Sequence, residues 1–414
     1  MAPLADPRPL ALLLVTGRRE LREYLLSSMA RDFRVHIFTP EPPGWEAPYI
    51  TGHTIVAETD GIDVTLPLAR DLHRRDPISG VLTWQETHTT QVAAVAAALG
   101  LPGREEDAIA RCRDKHLTRQ ALAATGVPQP SSTMVGSVDE ALDVAAKIGY
   151  PVVIKPSDLA VSFGVIKIDG PEEMAAAYAV TSSIPVPGMP DYRVRVLVEE
   201  YADGEEISVD TAIHHGDAQV LCIARKTTSF APYFIETGHV VDAADPLRTD
   251  PQLAALMSDV HRAIGMRDGL THTEIKLTSS GPKIIEVNGR LGGDQIPYLG
   301  LRATGVDVGL AQTRIACGLP PDVRADRELA AAIRFFCARR HNALIESIDF
   351  DRDAIAAGID ELVLLAAPGQ RRPLPTENPL RGRLAYATAV APTAKECRAI
   401  LDSAEAAFRL VTSP

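Results

Sequence analysis

The stretch KIIEVNGRLGGDQ, residues 283 to 295, begins as a buried strand and ends as something else. Lys283, Ile284, Ile285 and Val287 suit a strand, yet Glu286 sits among them, and Asn288 and Arg290 follow at steps of two. Side chains two apart on an extended chain share a face. A carboxylate, an amide and a guanidinium therefore point the same way before the run dissolves into Gly292-Gly293-Asp294. Upstream, THTEIKL (271–277) is a second strand pattern with its own embedded carboxylate, Glu274. Adjacent strands would bring Glu274 and Glu286 together beside Asn288. Paired carboxylates repel unless a cation stands between them, and an oxygen-only set of this kind suits Mg²⁺ shared with phosphates and water. Arg290 would then face a phosphate or carboxylate. Glu274 alone reads as an ordinary strand charge; the combined spacing is what points to a metal.

Composition narrows the field. With 414 residues, 46% hydrophobic and 23% charged, the chain is long enough for two or three domains with real cores. A net charge of −12 argues against nucleic-acid and anionic-membrane partners, which need basic surfaces. Cys112, Cys222, Cys317, Cys337 and Cys397 are scattered without a CxxC, so neither a zinc site nor a disulfide framework is expected, and a reducing cytoplasm fits. No apolar run approaches the ~18–20 residues of a membrane span. LALLLV (10–15) reads as the first core strand rather than part of a signal peptide.

Strand and helix patterns alternate from the start: ALLLV (11–15), RRELREYLLSSMA (18–30), RVHIFTP (34–40), GVLTW (80–84) and THTTQVAAVAAALG (87–100). This predicts a doubly wound α/β unit over 1–112, without a dinucleotide-binding G-x-G-x-x-G at its first turn. A helix stopped by Gly126 and Pro128 follows, then strand–loop–strand over 151–168, a helix over 171–180 and a Pro-rich exposed connection over 182–193. Strands are expected at 195–201, 206–213, 218–225, 271–277 and 283–288, with a helix near 250–264. The remainder, 331–414, reads as strands at 331–338, 361–368 and 383–391, closed by a helix whose stripe is Leu401, Ala404, Phe408 and Val411.

Three further groups carry chemistry. Lys155 ends the strand VVIK before a loop holding Ser157, Ser162 and Gly164, where a lysine and backbone N–H groups can hold phosphates. Lys115 in RDKHLT is a second cation, though alone it reads as a solvated helix lysine. LVEEYADGEEISVD (197–210) runs a hydrophobic strand into Glu199, Glu200 and Tyr201, turns at Gly204, and continues through Glu206 and Ser208; in isolation such a hairpin is commonplace surface charge.

The order of these parts resembles the ATP-grasp superfamily over roughly residues 110–320. The gap between Glu274 and Glu286, followed by Asn288 and Arg290, is similar to the metal-binding strands of biotin carboxylase. The resemblance implies an ATP-grasp domain over 113–330 with a lid at about 150–205, preceded by the α/β domain and followed by an α/β cap over 331–414. It implies Lys115, Lys155 and Ser162 at the phosphates, and Glu199, Glu200, Tyr201 and Ala202 at adenine. Glu206 would take the ribose, Glu274, Glu286 and Asn288 would hold Mg²⁺ with Mn²⁺ as a substitute, and Arg290 would face the transferred phosphoryl group. Within the superfamily, THTEIKLT, IIEVNGRLGGDQIPYL and KTTSFAPYFIETGHVV (226–241) look like the L-amino acid ligase branch. That branch implies a cytoplasmic homodimer forming an amide bond between amino acids through an acyl-phosphate. His272 is then a catalytic candidate, and Phe234, Glu236, His239, Arg290, Gly292 and Gly293 line the substrate site. The alternatives are a ligase acting on a non-amino-acid carboxylate, and an ATP-binding regulatory protein without turnover.

Overall fold

A computed structural model describes residues 6–58, 60–103, 105–159, 162–184 and 194–413. Most of the Pro-rich connection, 185–193, lies outside the described residues, as do Ala160 and Val161 of the phosphate loop. Strands β1 (Leu10–Leu14), β2 (Arg34–Thr39), β3 (Gly52–Ile55) and β4 (Ile78–Thr83) form a parallel sheet in the order β3-β2-β1-β4. Every residue of β1 is buried, the unbroken apolar run expected of a parallel strand covered on both faces.

A second sheet is antiparallel and small: β5 (Ser132–Val135), β6 (Val152–Pro156), β7 (Ile166–Ile168) and β8 (Val196–Glu200), ordered β5-β8-β6-β7. It starts at Ser132, upstream of the expected lid, because β5 pairs with β8 along its whole length. Helices Val138–Ile148 and Met174–Ser182 close one face of it around Ala141, Ala145, Ile154, Ile168, Met174 and Val198.

The largest sheet has eight strands. β9 (Glu205–His214), β10 (Asp217–Ser229), β11 (Ile235–Asp242), β12 (Gly269–Thr278) and β13 (Gly281–Asn288) come from the middle of the chain. β14 (Ala330–Cys337), β16 (Ile359–Leu364) and β17 (Arg383–Ala391) extend the same sheet, in the order β13-β12-β9-β10-β11-β14-β17-β16. The expected cap is thus built onto the central sheet. A separate ribbon pairs β15 (Leu344–Phe350) with β18 (Phe408–Ser413). The closing helix is shorter than expected, running from Ala394 to Ala407, capped at its start by the Thr393 hydroxyl accepting from the Glu396 N–H. Phe408 leaves the helical stripe because its ring packs with Phe336 and Phe350, and Val411 ends up 51% exposed on β18. No helix among the described residues is long and apolar enough to cross a membrane.

Candidate active site

The antiparallel pairing of β12 and β13 sets Glu274 directly opposite Glu286, and His272 opposite Asn288. On the other side of β12, β9 sets Asp210 opposite His272, Ser208 opposite Glu274 and Glu206 opposite Lys276. Paired residues project from the same face. One face of three neighbouring strands is therefore polar in a sheet whose other face is packed with Ile207, Val209, Ile275, Ile284 and Val287.

That polar face forms the floor of two adjoining recesses. One lies between the small and large sheets and is lined by Lys115, Lys155, Ser162, Glu199, Glu200, Tyr201, Ala202, Glu206, Phe234, Glu274 and Glu286, with the hydrophobic Val153, Val165 and Ile285. The other contains Glu236, His272, Asn288, Arg290, Gly293, Asp294 and Arg383. Both include Ser162, Glu274 and Glu286, so the two carboxylates stand at the common wall.

Charge in this region is heavily paired. Lys226, with its side chain only 1% exposed, places Nζ 2.7 Å from Glu206, 3.0 Å from Glu236 and 3.0 Å from Glu274. Lys115 reaches Glu286 at 3.1 Å and donates to the carbonyl of Leu159 at 2.6 Å. Burial would raise Glu286, but Lys115 and Lys155 hold its carboxyl below the ordinary value. Glu274 is raised instead: burial and the neighbouring Glu286, Glu236 and Glu206 carboxylates outweigh Lys226. One carboxylate held ionised opposite another that resists ionisation is the state expected where a divalent cation would relieve the repulsion. The three oxygen donors Glu274, Glu286 and Asn288 fit a hard cation such as Mg²⁺.

Several candidate residues carry partners that the sequence did not announce. Glu199 accepts from Arg119 Nε at 2.8 Å and Nη2 at 3.1 Å, and Lys155 Nζ lies 2.6 Å from it, all three side chains buried. Its oxygens are committed to these cations. Burial, with Arg119 and Lys115 close by, keeps the Lys155 ammonium below its ordinary value despite Glu199. Glu199 itself is lowered to about 2 because Arg119 and Lys155 outweigh its burial. Its stabilising contribution is therefore present above its ordinary value of 4.5 and is lost as pH falls toward about 2. Urea unfolding from pH 6 down to pH 3 should show a stability loss across this window that Glu199→Gln makes shallower.

Other placements correct the expectations. Phe234 lies beside Tyr201, ring centroids 6.4 Å apart, in the first recess and not with Glu236. It precedes β11, in a segment that bridges to the small sheet through Tyr233 and Ile166, which carries it there. The N–H of Gly292, a residue expected to line the substrate site, donates to Asp210 Oδ2 at 3.3 Å. Arg290 lines the second recess, but its Nε is 2.6 Å from Glu86, which also holds Arg113 at 3.0 Å. His272 bonds Asp210 through Nδ1 at 2.7 Å and leaves Nε2 3.8 Å from Glu274. His239 is fully buried behind Glu236, with Nε2 3.3 Å from both Glu236 and Asp294, and Arg383 grips Asp294 with two bonds of 2.6 Å. Of the residues missed, Asp210 continues the Glu206–Ser208 alternation and Lys226 opens the KTTSFAPYF stretch. Arg119, Glu86 and Arg383 gave no local signal.

A parallel sheet feeding a small antiparallel lid sheet and a large antiparallel sheet, with the cleft between the latter two, is the ATP-grasp arrangement. Residues 148–298 match the ATP-grasp domain family, so the chain carries an ATP-grasp domain. Over its full length it is similar to the L-amino acid ligase from Bacillus licheniformis, with a TM-score of 0.79 at 20% identity, covering 99% of this chain and 100% of that one. That likeness establishes the fold. In sequence it is 28% identical, over 99% of its length, to an uncharacterized protein of Sinorhizobium fredii, of which it covers 84%. It is also 26% identical to the alanine–anticapsin ligase of Bacillus subtilis over 57% of this chain. The match spans about half the length of that ligase, 53%.

Proposed function

We propose that the protein is an ATP- and Mg²⁺-dependent carboxylate–amine ligase that joins two amino acids through an acyl-phosphate, releasing ADP and phosphate. The observation that carries this reading is the register placing Glu274 opposite Glu286 at the wall shared by two recesses, one lined by lysines and the other by Glu236, Arg290 and Arg383. Mg²⁺ bound there would offset the charge that builds on the phosphates during transfer.

The chain's own groups do the rest by position. Lys115 and Lys155 line the nucleotide recess and would hold its phosphates, while Tyr201, Ala202 and Phe234 would wall the base and Glu206, in the same recess, would take the ribose. Arg290 would swing from Glu86 to carry charge on the transferred phosphoryl group. A substrate carboxylate oxygen attacks the γ-phosphorus and ADP departs. The second substrate's amine then attacks the acyl carbon, and phosphate leaves. Glu236, ionised beside Lys226 against its burial, would exchange part of that pairing for a substrate ammonium. The likeness to an L-amino acid ligase and to alanine–anticapsin ligase supports amino-acid substrates.

The test is phosphate release from Mg·ATP against a matrix of paired amino acids, with mass spectrometry of the active wells. Release that requires two amino acids, with a product lighter by one water than their sum, is the expected outcome. Release only with other carboxylates would transfer the chemistry to a different acid, and absence of ATP binding would remove the reading altogether.

A further inference from the structure

Away from the cleft, the tip of the β9–β10 hairpin carries two adjacent histidines. β9 ends at His214 and β10 begins at Asp217, and the two residues between them, His215 and Gly216, both have positive φ (55° and 90°). That is the geometry of a tight two-residue hairpin turn. Asp268, immediately before β12, lies against this tip because Gly269 pairs with Ile213. The backbone fixes the approach on its own: the Gly216 N–H donates to the Arg267 carbonyl at 2.8 Å, and the His215 N–H to Asp268 Oδ1 at 2.8 Å.

His214 Nδ1 and His215 Nδ1 each stand 3.5 Å from Asp268 Oδ1, with their rings 4.0 Å apart. The three donor atoms lie within 4.8 Å of one another. Around a tetrahedral ion with bonds of about 2.0–2.2 Å, neighbouring donors are separated by roughly 3.3–3.6 Å. The two His–Asp separations match, and they are too long for hydrogen bonds. His214 Nδ1 is buried and has no hydrogen-bond partner. Among the described residues no lysine or arginine pairs with Asp268. A second trio, Glu236, His239 and Asp294, has comparable spacing, but Lys226 and Arg383 already neutralise its carboxylates. The hairpin trio has nitrogen donors and one carboxylate with no cation to balance it.

We propose that His214, His215 and Asp268 form a transition-metal site with the donor set and spacing for Zn²⁺, leaving a fourth position for water. Imidazole suits Zn²⁺ far better than Mg²⁺, so this site and the glutamate site select different ions. The bound ion would staple the β9–β10 turn to the start of β12, the two strands that carry Asp210 and His272. The Asp268 carboxylate, already oriented by the His215 N–H, needs no rearrangement to serve as a ligand.

The test uses the full chain, stripped of metal and then supplied with millimolar Mg²⁺ to fill the oxygen site, and titrates Zn²⁺ against a chromophoric chelator at neutral pH. Wild type should retain one more equivalent of Zn²⁺ than His214→Ala, His215→Asn or Asp268→Asn. Each variant should lose more than about tenfold in affinity at this site, the cost that even an outer-shell partner carries. His215→Asn is decisive for folding, since its side chain is 71% exposed and asparagine tolerates positive φ. Zn²⁺ should also raise the unfolding temperature of wild type and not of His215→Asn. Equal Zn²⁺ uptake by wild type and a normally folded His215→Asn overturns the proposal. That result would leave the ligase reading untouched, because ATP turnover is measured separately.

Discussion

Replacing Glu286 with glutamine should lower ATP-dependent turnover by about 10²–10³-fold or more while leaving the fold intact. The exchange conserves volume, so β13 keeps its packing. What disappears is one of the two charges that face each other across β12 and β13. Two effects then add. The oxygen set proposed for Mg²⁺ loses its ionised member, since Glu274 is the carboxylate whose environment opposes ionisation. Lys115 also exchanges its 3.1 Å carboxylate partner for a neutral amide, leaving it the Leu159 carbonyl and a weaker acceptor. The Mg²⁺ concentration needed for half-maximal activity should rise with the fall in rate, whereas nucleotide binding without metal should persist. The measurements are phosphate release over a Mg²⁺ titration and far-UV circular dichroism. A Glu286→Gln protein with undiminished turnover would end the metal assignment.

The parts legible in the sequence were those with local signals. Alternation at 272–274 and 286–288 predicted the shared face of Glu274, Glu286 and Asn288, although a bulge that skips Ile285 shifts the register just upstream and turns Ile284 to the apolar face. Helix stops at Gly100 and Gly126 were visible for a similar reason: each adopts the left-handed conformation that closes a helix. What could not be read were couplings between distant segments. Arg119 looks like any solvated helix residue until β8 and β13 close over it. Arg383 reaches Asp294 across 89 positions of sequence. The end of the last helix failed for another reason. Leu401, Ala404, Phe408 and Val411 keep a helical period, but Phe408 gains more by packing between Phe336 and Phe350, and β15 offers its edge to the chain that follows. Tertiary packing overrode a local pattern that strand and helix could both satisfy.

Replacing Arg119 with methionine should destabilise the protein by about 3–5 kcal/mol, the usual cost of deleting one member of a buried ion pair. Arg119 is 5% exposed and makes five hydrogen bonds. Two go to Glu199 of β8, at 2.8 and 3.1 Å, and two to the carbonyls of Ile284 and Ile285 on β13, at 2.9 and 2.8 Å. The last goes to Gln129 at 3.3 Å. One guanidinium thus ties the helix Lys115–Thr125 to both sheets that form the cleft. Methionine fills much of the volume but leaves two strand carbonyls unpaired and Glu199 with Lys155 alone. Lysine at the same position retains the charge without the fork, so Arg119→Lys should recover only part of the loss. Urea denaturation at neutral pH measures both variants. A cycle with Glu199→Gln separates the ion pair from the carbonyl bonds. If Arg119→Met costs less than about 1 kcal/mol, the network holds no more than a surface pair does. A full cost would mean that Lys155, the proposed phosphate lysine, is held through Glu199 by a network that Arg119 anchors.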